Sequence, residues 1–179
     1  MTNDPNFWKN RYKFSWQASK EREDMVGKKI LDETGKSTEF VGLGAGTDRY
    51  MEGSAQSQGY DKGGADLHVV GTSVYIEVTG PLITTVPEDA PLWLRPDKVE
   101  SASKHFPARE TWVVHHIPKN DLLRVVRLDE VFFRLYKDSQ FRIVEPIIRG
   151  QKERYVEIPS TDPHVLPWDK LISRLKAGA

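Results

Sequence analysis

Asp66, His68, Glu77 and Thr79 are chemically capable side chains set at alternating positions on either side of Gly71-Thr72. Apolar residues alternate through both flanks, which predicts a hairpin with a two-residue turn and Gly71 first, as a type II′ turn favours. Pairing then runs Val70 with Ser73, Val69 with Val74, His68 with Tyr75, Leu67 with Ile76 and Asp66 with Glu77. Alternation assigns Leu67, Val69, Val74, Ile76 and Val78 to the core face, and Asp66, His68, Tyr75, Glu77 and Thr79 to the other. Two carboxylates opposed across a strand pair repel, a cost of about a few tenths of a kcal/mol on a solvated face. A divalent cation held between them removes the repulsion and gives the pairing a chemical use.

Asp66, followed eleven residues later by Glu77-Val78-Thr79 at the end of an apolar strand, resembles the PD-(D/E)xK motif of restriction-endonuclease-like nucleases. The flanks are similar too. That family has a glutamate-bearing helix before the motif, and here Glu23 stands three and seven residues before Val26 and Ile30, along an inward helical stripe. Glu21 lies about 200° away around the same helix and points elsewhere. After the motif the family has a helix opening with Gln or Lys, then a strand; here Lys98-Val99-Glu100 and Thr111–His116 take those places. The pattern is most similar to archaeal Holliday-junction resolvases and Mrr-type nucleases, and it spans Glu21 to Leu128.

The resemblance implies an α/β fold: one domain over 1–179, restriction-endonuclease-like, with a mixed central β-sheet flanked by helices. Residues 1–14 form an N-terminal arm and 129–179 a C-terminal extension. It implies a Mg²⁺ (or Mn²⁺) dependent endonuclease, a hydrolase of phosphodiester bonds in nucleic acid, with DNA the expected partner and a homodimer compatible. Asp66, Glu77 and the Val78 carbonyl would hold the metal; Glu23, Thr79 and Lys98 would complete the catalytic set. Arg49, Lys62, Arg95 and Lys104 are the expected nucleic-acid contacts.

Two positions depart from the family's pattern. Ala65 replaces a proline that carries no chemistry. Thr79 stands where the family has the lysine that orients or deprotonates the attacking water, and threonine brings no positive charge. Lys98 can restore that charge from the following helix. The alternative is a degenerate member that binds without cleaving.

Other constellations are weaker. Gly42-Leu43-Gly44-Ala45-Gly46-Thr47 has the glycines of a dinucleotide loop, which would make this a nucleotide-binding protein. Such a loop must open a helix, and Tyr50 to Gly64, with Gly53, Gly59, Gly63 and Gly64, is a poor one. His115 and His116 are adjacent on a strand, so only one can face the carboxylates. No GxSxG, HExxH or phosphate-loop pattern occurs. Phe7, Trp8, Lys9, Arg11, Tyr12, Lys13, Phe14 and Trp16 suit either base stacking or a packing arm.

The elements that must position these residues follow from periodicity and breakers. Ser15–Glu33 has a helical apolar stripe ended by Gly35, and Thr38–Leu43 is β-rich. Eight of the thirteen glycines fall between Gly42 and Gly71, so 44–64 reads as a long loop. Pro81–Pro96 reads as an irregular connection, Lys98–His105 as a helix capped by Asp97, and Asp129 as the cap of a helix through Tyr136. Strands are expected at Thr111–His116, Val125–Leu128, Phe141–Ile148 and Tyr155–Ile158, with a closing helix over Trp168–Leu175.

Composition narrows the chemistry. Without cysteine the chain has no disulfide, thiolate–metal site or thiol nucleophile. Its zero net charge divides into an acidic middle, six acids to two bases over 66–100, and a basic remainder, fourteen bases to ten acids from Ser101 onward. An acidic centre beside a basic flank suits a metal-dependent enzyme acting on a polyanion. No apolar run approaches a membrane span and the start is polar, so a cytoplasmic location is expected.

Overall fold

The computed structural model describes residues 5–42, 63–148 and 150–178, with side chains from Phe14 onward. In chain order the elements are α1 (Pro5–Thr34), β1 (Thr38–Phe40), β2 (Leu67–Val69), β3 (Val74–Thr79), β4 (Leu92–Leu94), α2 (Pro96–His105), β5 (Glu110–Ile117), β6 (Leu122–Leu128), α3 (Glu130–Lys137), β7 (Arg142–Val144), β8 (Ile147–Ile148), β9 (Gln151–Lys152), β10 (Tyr155–Ile158), β11 (Val165–Pro167) and α4 (Asp169–Lys176). The six-stranded central sheet has the order β1-β2-β3-β5-β6-β11. It is mixed: β3 and β5 run parallel, and every other neighbouring pair is antiparallel. The protein is therefore of the expected α/β class, with a mixed central sheet flanked by helices.

The parallel pair determines the architecture. Parallel neighbours need a crossover connection, and here it runs through β4 and α2 across one face of the sheet. Strand alternation then divides the core in two. Leu67, Val69, Val74, Ile76, Trp112 and Val114 pack against Val26 and Ile30 of α1 and Leu171 and Leu175 of α4. Val113, Val126 and Leu128 face the other way, onto Val99 and Ala102 of α2, Phe132 of α3, and the small antiparallel sheet β4-β10-β7. No helix among the described residues is long and apolar enough to cross a membrane.

Several sequence expectations change here. Helix α1 starts at Pro5, so most of the supposed arm 1–14 is helical; after Pro5 no proline interrupts it, Gly27 lies within it, and a first-turn proline costs no hydrogen bond. Gly35, at φ +74°, ends the helix as expected, its N–H bonding Leu31 O at 2.8 Å. The 81–96 connection contains β4, because Leu92 and Leu94 fill the second core while Trp93 points outward. Arg95, not Asp97, is the N-cap of α2, since Pro96 takes the first helical position. Asp129 does cap α3, accepting the Phe132 N–H at 3.0 Å. The run Phe141–Ile148 is broken into β7 and β8 around Pro146, which has no N–H for a ladder. Strand β11 lies in a stretch assigned to no element, and it pairs with β6.

Gly80 follows β3 at φ +142°, and a Cβ there would lie 2.0 Å from His116 O. Gly71, at φ +78°, has open space where its Cβ would be. Gly71→Ala should therefore cost about 1–2 kcal/mol of left-handed strain, and Gly80→Ala clearly more, because steric overlap adds to strain. Urea denaturation of the two variants checks the order.

Candidate functional site

The hairpin β2–β3 has the expected register, with Leu67 opposite Ile76 and His68 opposite Tyr75. Its turn differs. Thr72 N–H bonds Val69 O at 3.2 Å, so Val70 and Gly71 are the central residues and the loop spans 70–73. Two extra loop residues, one from each strand, leave the pairing unchanged. The two faces separate as the alternation requires: Leu67, Val69, Val74 and Ile76 lie in the core, and Asp66 and Glu77 share the opposite face.

Asp66 sits where the regular ladder ends. Its N–H bonds Ile76 O at 3.0 Å, and its Oδ2 accepts the Val78 N–H at 2.8 Å. The carboxylate is thereby fastened to the strand that carries Glu77. Both acids are 7% exposed. Lys98 reaches in from the first turns of α2, placing Nζ 2.7 Å from Glu77 Oε2 and 3.6 Å from Asp66 Oδ1, and donating to Gly64 O at 2.8 Å. The fit between α2 and the 63–64 segment requires glycine: a Cβ on Gly63 would lie 2.3 Å from Asp97 O.

Electrostatically this is two acids and one base out of water. Burial, reinforced by the Asp66 charge, pushes the Glu77 carboxyl up to about 8, and Lys98 offsets this only in part. For Lys98, burial alone would lower the value, but Glu77 and Asp66 outweigh it and hold the ammonium up at about 12. The 2.7 Å contact is an ion pair without aligned hydrogen-bond geometry, so Glu77 Oε2 is a sealed carboxylate oxygen with no properly directed donor. Beside it runs a crevice lined by Gly64, Tyr75, Glu77, Lys98, His105 and Arg109, with a void of about 20 Å³, room for about one water molecule or ion. Among the described residues no group of three or more His, Asp and Glu could hold a metal. Two carboxylates suit Mg²⁺, which keeps most of its waters and takes one or two carboxylates plus substrate phosphates.

The remaining expected residues take various places. Thr79 is half-buried on the Glu77 face, paired in register with His115. Glu23 is 4% exposed on α1, whereas Glu21 is exposed and bonded to Gln17. Arg95 flanks the site at the start of α2, paired with Asp97 and acting on the Glu77 charge. Lys104 belongs elsewhere: it lines the groove between α2 and α3 with Val99, Ser103 and Phe133. Arg49, Lys62 and most of the glycine loop lie outside the described residues, as do the side chains of 7–13. Phe14 and Trp16 are exposed.

Sequence reasoning missed the groups that hold the strand ends. Arg22, next to Glu23, is buried and donates to Gly80 O at 2.7 Å, to Pro81 O, and to His116 Nδ1 at 3.2 Å. His116 Nε2 in turn meets Asp121 Oδ1 at 2.9 Å. On the other face Arg124 contacts Ala90 O at 2.7 Å and His115 Nδ1 at 3.1 Å. Burial, with the charges of Arg124, Arg22 and His116, pushes His115 down to about 3, so it stays neutral and accepts from the guanidinium. A charged residue within a helix gives no sequence sign that its partners lie 58 to 94 positions away.

No protein family and no curated protein matches the chain. Among solved structures, D212, a nuclease from a fusselovirus, aligns with it at 15% identity and a TM-score of 0.49, over 89% of this chain and 92% of that one.

The Glu77 shift gives a pH prediction. A folded value near 8, above the ordinary 4.5, means the fold holds the proton more tightly, so this stabilisation is complete below about pH 4.5 and lost as pH rises through 8. Lys98 titrates above this window. Thermal melts should show Glu77→Gln gaining stability relative to wild type as pH rises from 5 to about 9; a constant difference would mean that Glu77 is ionised throughout.

Proposed function

We propose that this protein is a metal-dependent nuclease that hydrolyses phosphodiester bonds in nucleic acid, with DNA the substrate that the motif's resemblance favours. The observation that carries the reading is the burial of Asp66 and Glu77 against Lys98. Buried ions cost several kcal/mol each in lost hydration, and apolar residues of similar volume would often be as stable or more so. An arrangement retained against that cost suits chemistry better than packing.

Asp66, Glu77 and the Val78 carbonyl would hold Mg²⁺ or Mn²⁺; Glu23, on the helix packed against the face of Leu67 and Ile76, forms no three-acid group with them. When bound, the ion supplies a water of lowered pKa and stabilises charge on the scissile phosphate. The protein's own groups have roles that their protonation states define. Glu77 must lose its proton to act as a ligand, so ion and proton compete for it and binding releases a proton. Lys98, held protonated, cannot serve as a base near neutral pH. It donates, orienting the attacking water or a phosphate oxygen, and supplies the charge that Thr79 lacks. Thr79 can add a neutral hydroxyl donor on the same face. Arg95, at the start of α2, suits a phosphate contact.

Thr79 favours one competing reading, a nuclease-like module that binds nucleic acid without cleaving it. Labelled branched, duplex and single-stranded DNA and RNA, incubated with Mg²⁺ or Mn²⁺, separate the two. Cleavage by wild type, with Asp66→Asn inactive and Lys98→Ala slowed about 10²–10³-fold in kcat, is the expected result. Full activity in Lys98→Ala would overturn its role. Binding by wild type with no cleavage of any substrate would establish the module.

A further inference from the structure

The crevice has two ends, and the chemistry just proposed uses only one. On β3, Tyr75 lies two residues before Glu77 on the same face, about 7 Å along the strand. Helix α2 runs over this track, presenting Lys98, Ser101 and His105 to it at the i, i+3 and i+7 positions of one helical face. Lys98 meets Glu77. The far end is bounded by His105, Tyr75 and Arg109.

That end has a built platform. His68 stacks on Tyr75 with ring centroids 4.6 Å apart, and both its ring nitrogens are engaged, Nδ1 with Glu39 Oε1 and Nε2 with Thr72 O, each at 2.8 Å. The Arg109 guanidinium lies over the Tyr75 ring, 5.0 Å from its centroid. Arg109 is exposed, and among the described residues no acid pairs with it. A guanidinium oriented by an aromatic face keeps its planar fork of N–H donors for a ligand. With Tyr75 engaged by both His68 and Arg109, the ring serves as a support and not as a surface for stacking a base.

We infer that Arg109, held on the Tyr75–His68 platform, is a phosphate subsite for the nucleotide adjoining the one cleaved at Asp66 and Glu77. This rests on the nuclease reading. The ligand class follows from geometry: the narrow crevice beside Glu77 is bounded at its other end by an exposed guanidinium that no acid among the described residues pairs with, a spacing that suits successive phosphates laid across its mouth. A bidentate fork fits one phosphate of such a chain.

The test measures binding apart from cleavage. A fluorescein-labelled duplex oligonucleotide is titrated in EDTA by anisotropy across a range of KCl concentrations, with wild type, Arg109→Ala and Arg109→Lys. Losing one phosphate contact should reduce the slope of log K against log salt by about 0.9 in Arg109→Ala. Arg109→Lys should keep the slope but bind more weakly, having lost the fork. Melting temperatures near wild type show that the variants fold, as an exposed side chain should allow. In cleavage assays Arg109→Ala should raise KM and leave kcat nearly unchanged, as loss of uniform binding requires. A wild-type slope in Arg109→Ala overturns the subsite, and so does a wild type that binds no oligonucleotide. Cleavage by wild type alongside an unchanged slope removes the subsite alone; a reduced slope without cleavage removes the nuclease reading and leaves Arg109 as a phosphate contact.

Discussion

Two carboxylates and a single ammonium, enclosed together, form a charge set that cannot balance by itself. Were all three ionised, a net negative charge would remain in a place where water is largely excluded and unscreened interactions are strong. The site settles by raising Glu77 to about 8, so that a proton supplies the missing charge. On the proposed reading, a divalent ion would displace that proton and exceed the deficit by one charge. The surrounding structure keeps that deficit in place. Asp66 is tied through Val78 N–H to the strand carrying Glu77, and Lys98 is tied through Gly64 O to the segment leading into Asp66.

The topology explains how three residues from separate elements meet. Because β3 and β5 are parallel, the chain must leave the end of β3, cross the sheet and return, and α2 lies on that return. The crossing would position Lys98 loosely if the 80–91 connection were free. Two buried arginines prevent this, Arg22 holding Gly80 O and Pro81 O from the α1 side and Arg124 holding Ala90 O from the other. Each also takes a histidine Nδ1 as a neutral acceptor, His116 for Arg22 and His115 for Arg124. These are carbonyl clamps built from guanidinium groups, which stay charged even where burial lowers their pKa.

What the sequence displays and what it conceals divide along a physical line. The hairpin register was legible because period-two alternation admits one solution with Leu67, Val69, Val74 and Ile76 all inward; a one-residue slip would expose every one of them. It survived an error in the turn because lengthening a loop symmetrically leaves pairing intact. The place of Lys98 beside Asp66 and Glu77 was legible too, because Thr79 leaves that face without a positive charge of its own. Strands β4 and β11 were not legible: each has three residues, and their partners β10 and β6 lie far away in the chain. Nor were the clamps of Arg22, which stands between two glutamates, and of Arg124, which stands between Leu123 and Val125, since neither setting shows which carbonyls the guanidinium reaches. Local pattern gave elements and faces; the clamps belong to packing.

Carrying the cation on a helix instead of the strand changes what its position depends on. A lysine at residue 79 would be placed by the β3 backbone, whose ladder to β5 fixes it together with Glu77. Lys98 is placed by the distance between α2 and the sheet. That distance is set by Val99 and Ala102 packing into the second core, and by the close approach of Gly63 to the Asp97 carbonyl. Residues that never touch the carboxylates thus control how near the ammonium comes to them. The same packing aligns His105 with the Tyr75 end of the crevice. One helix-to-sheet distance therefore governs both ends of the crevice.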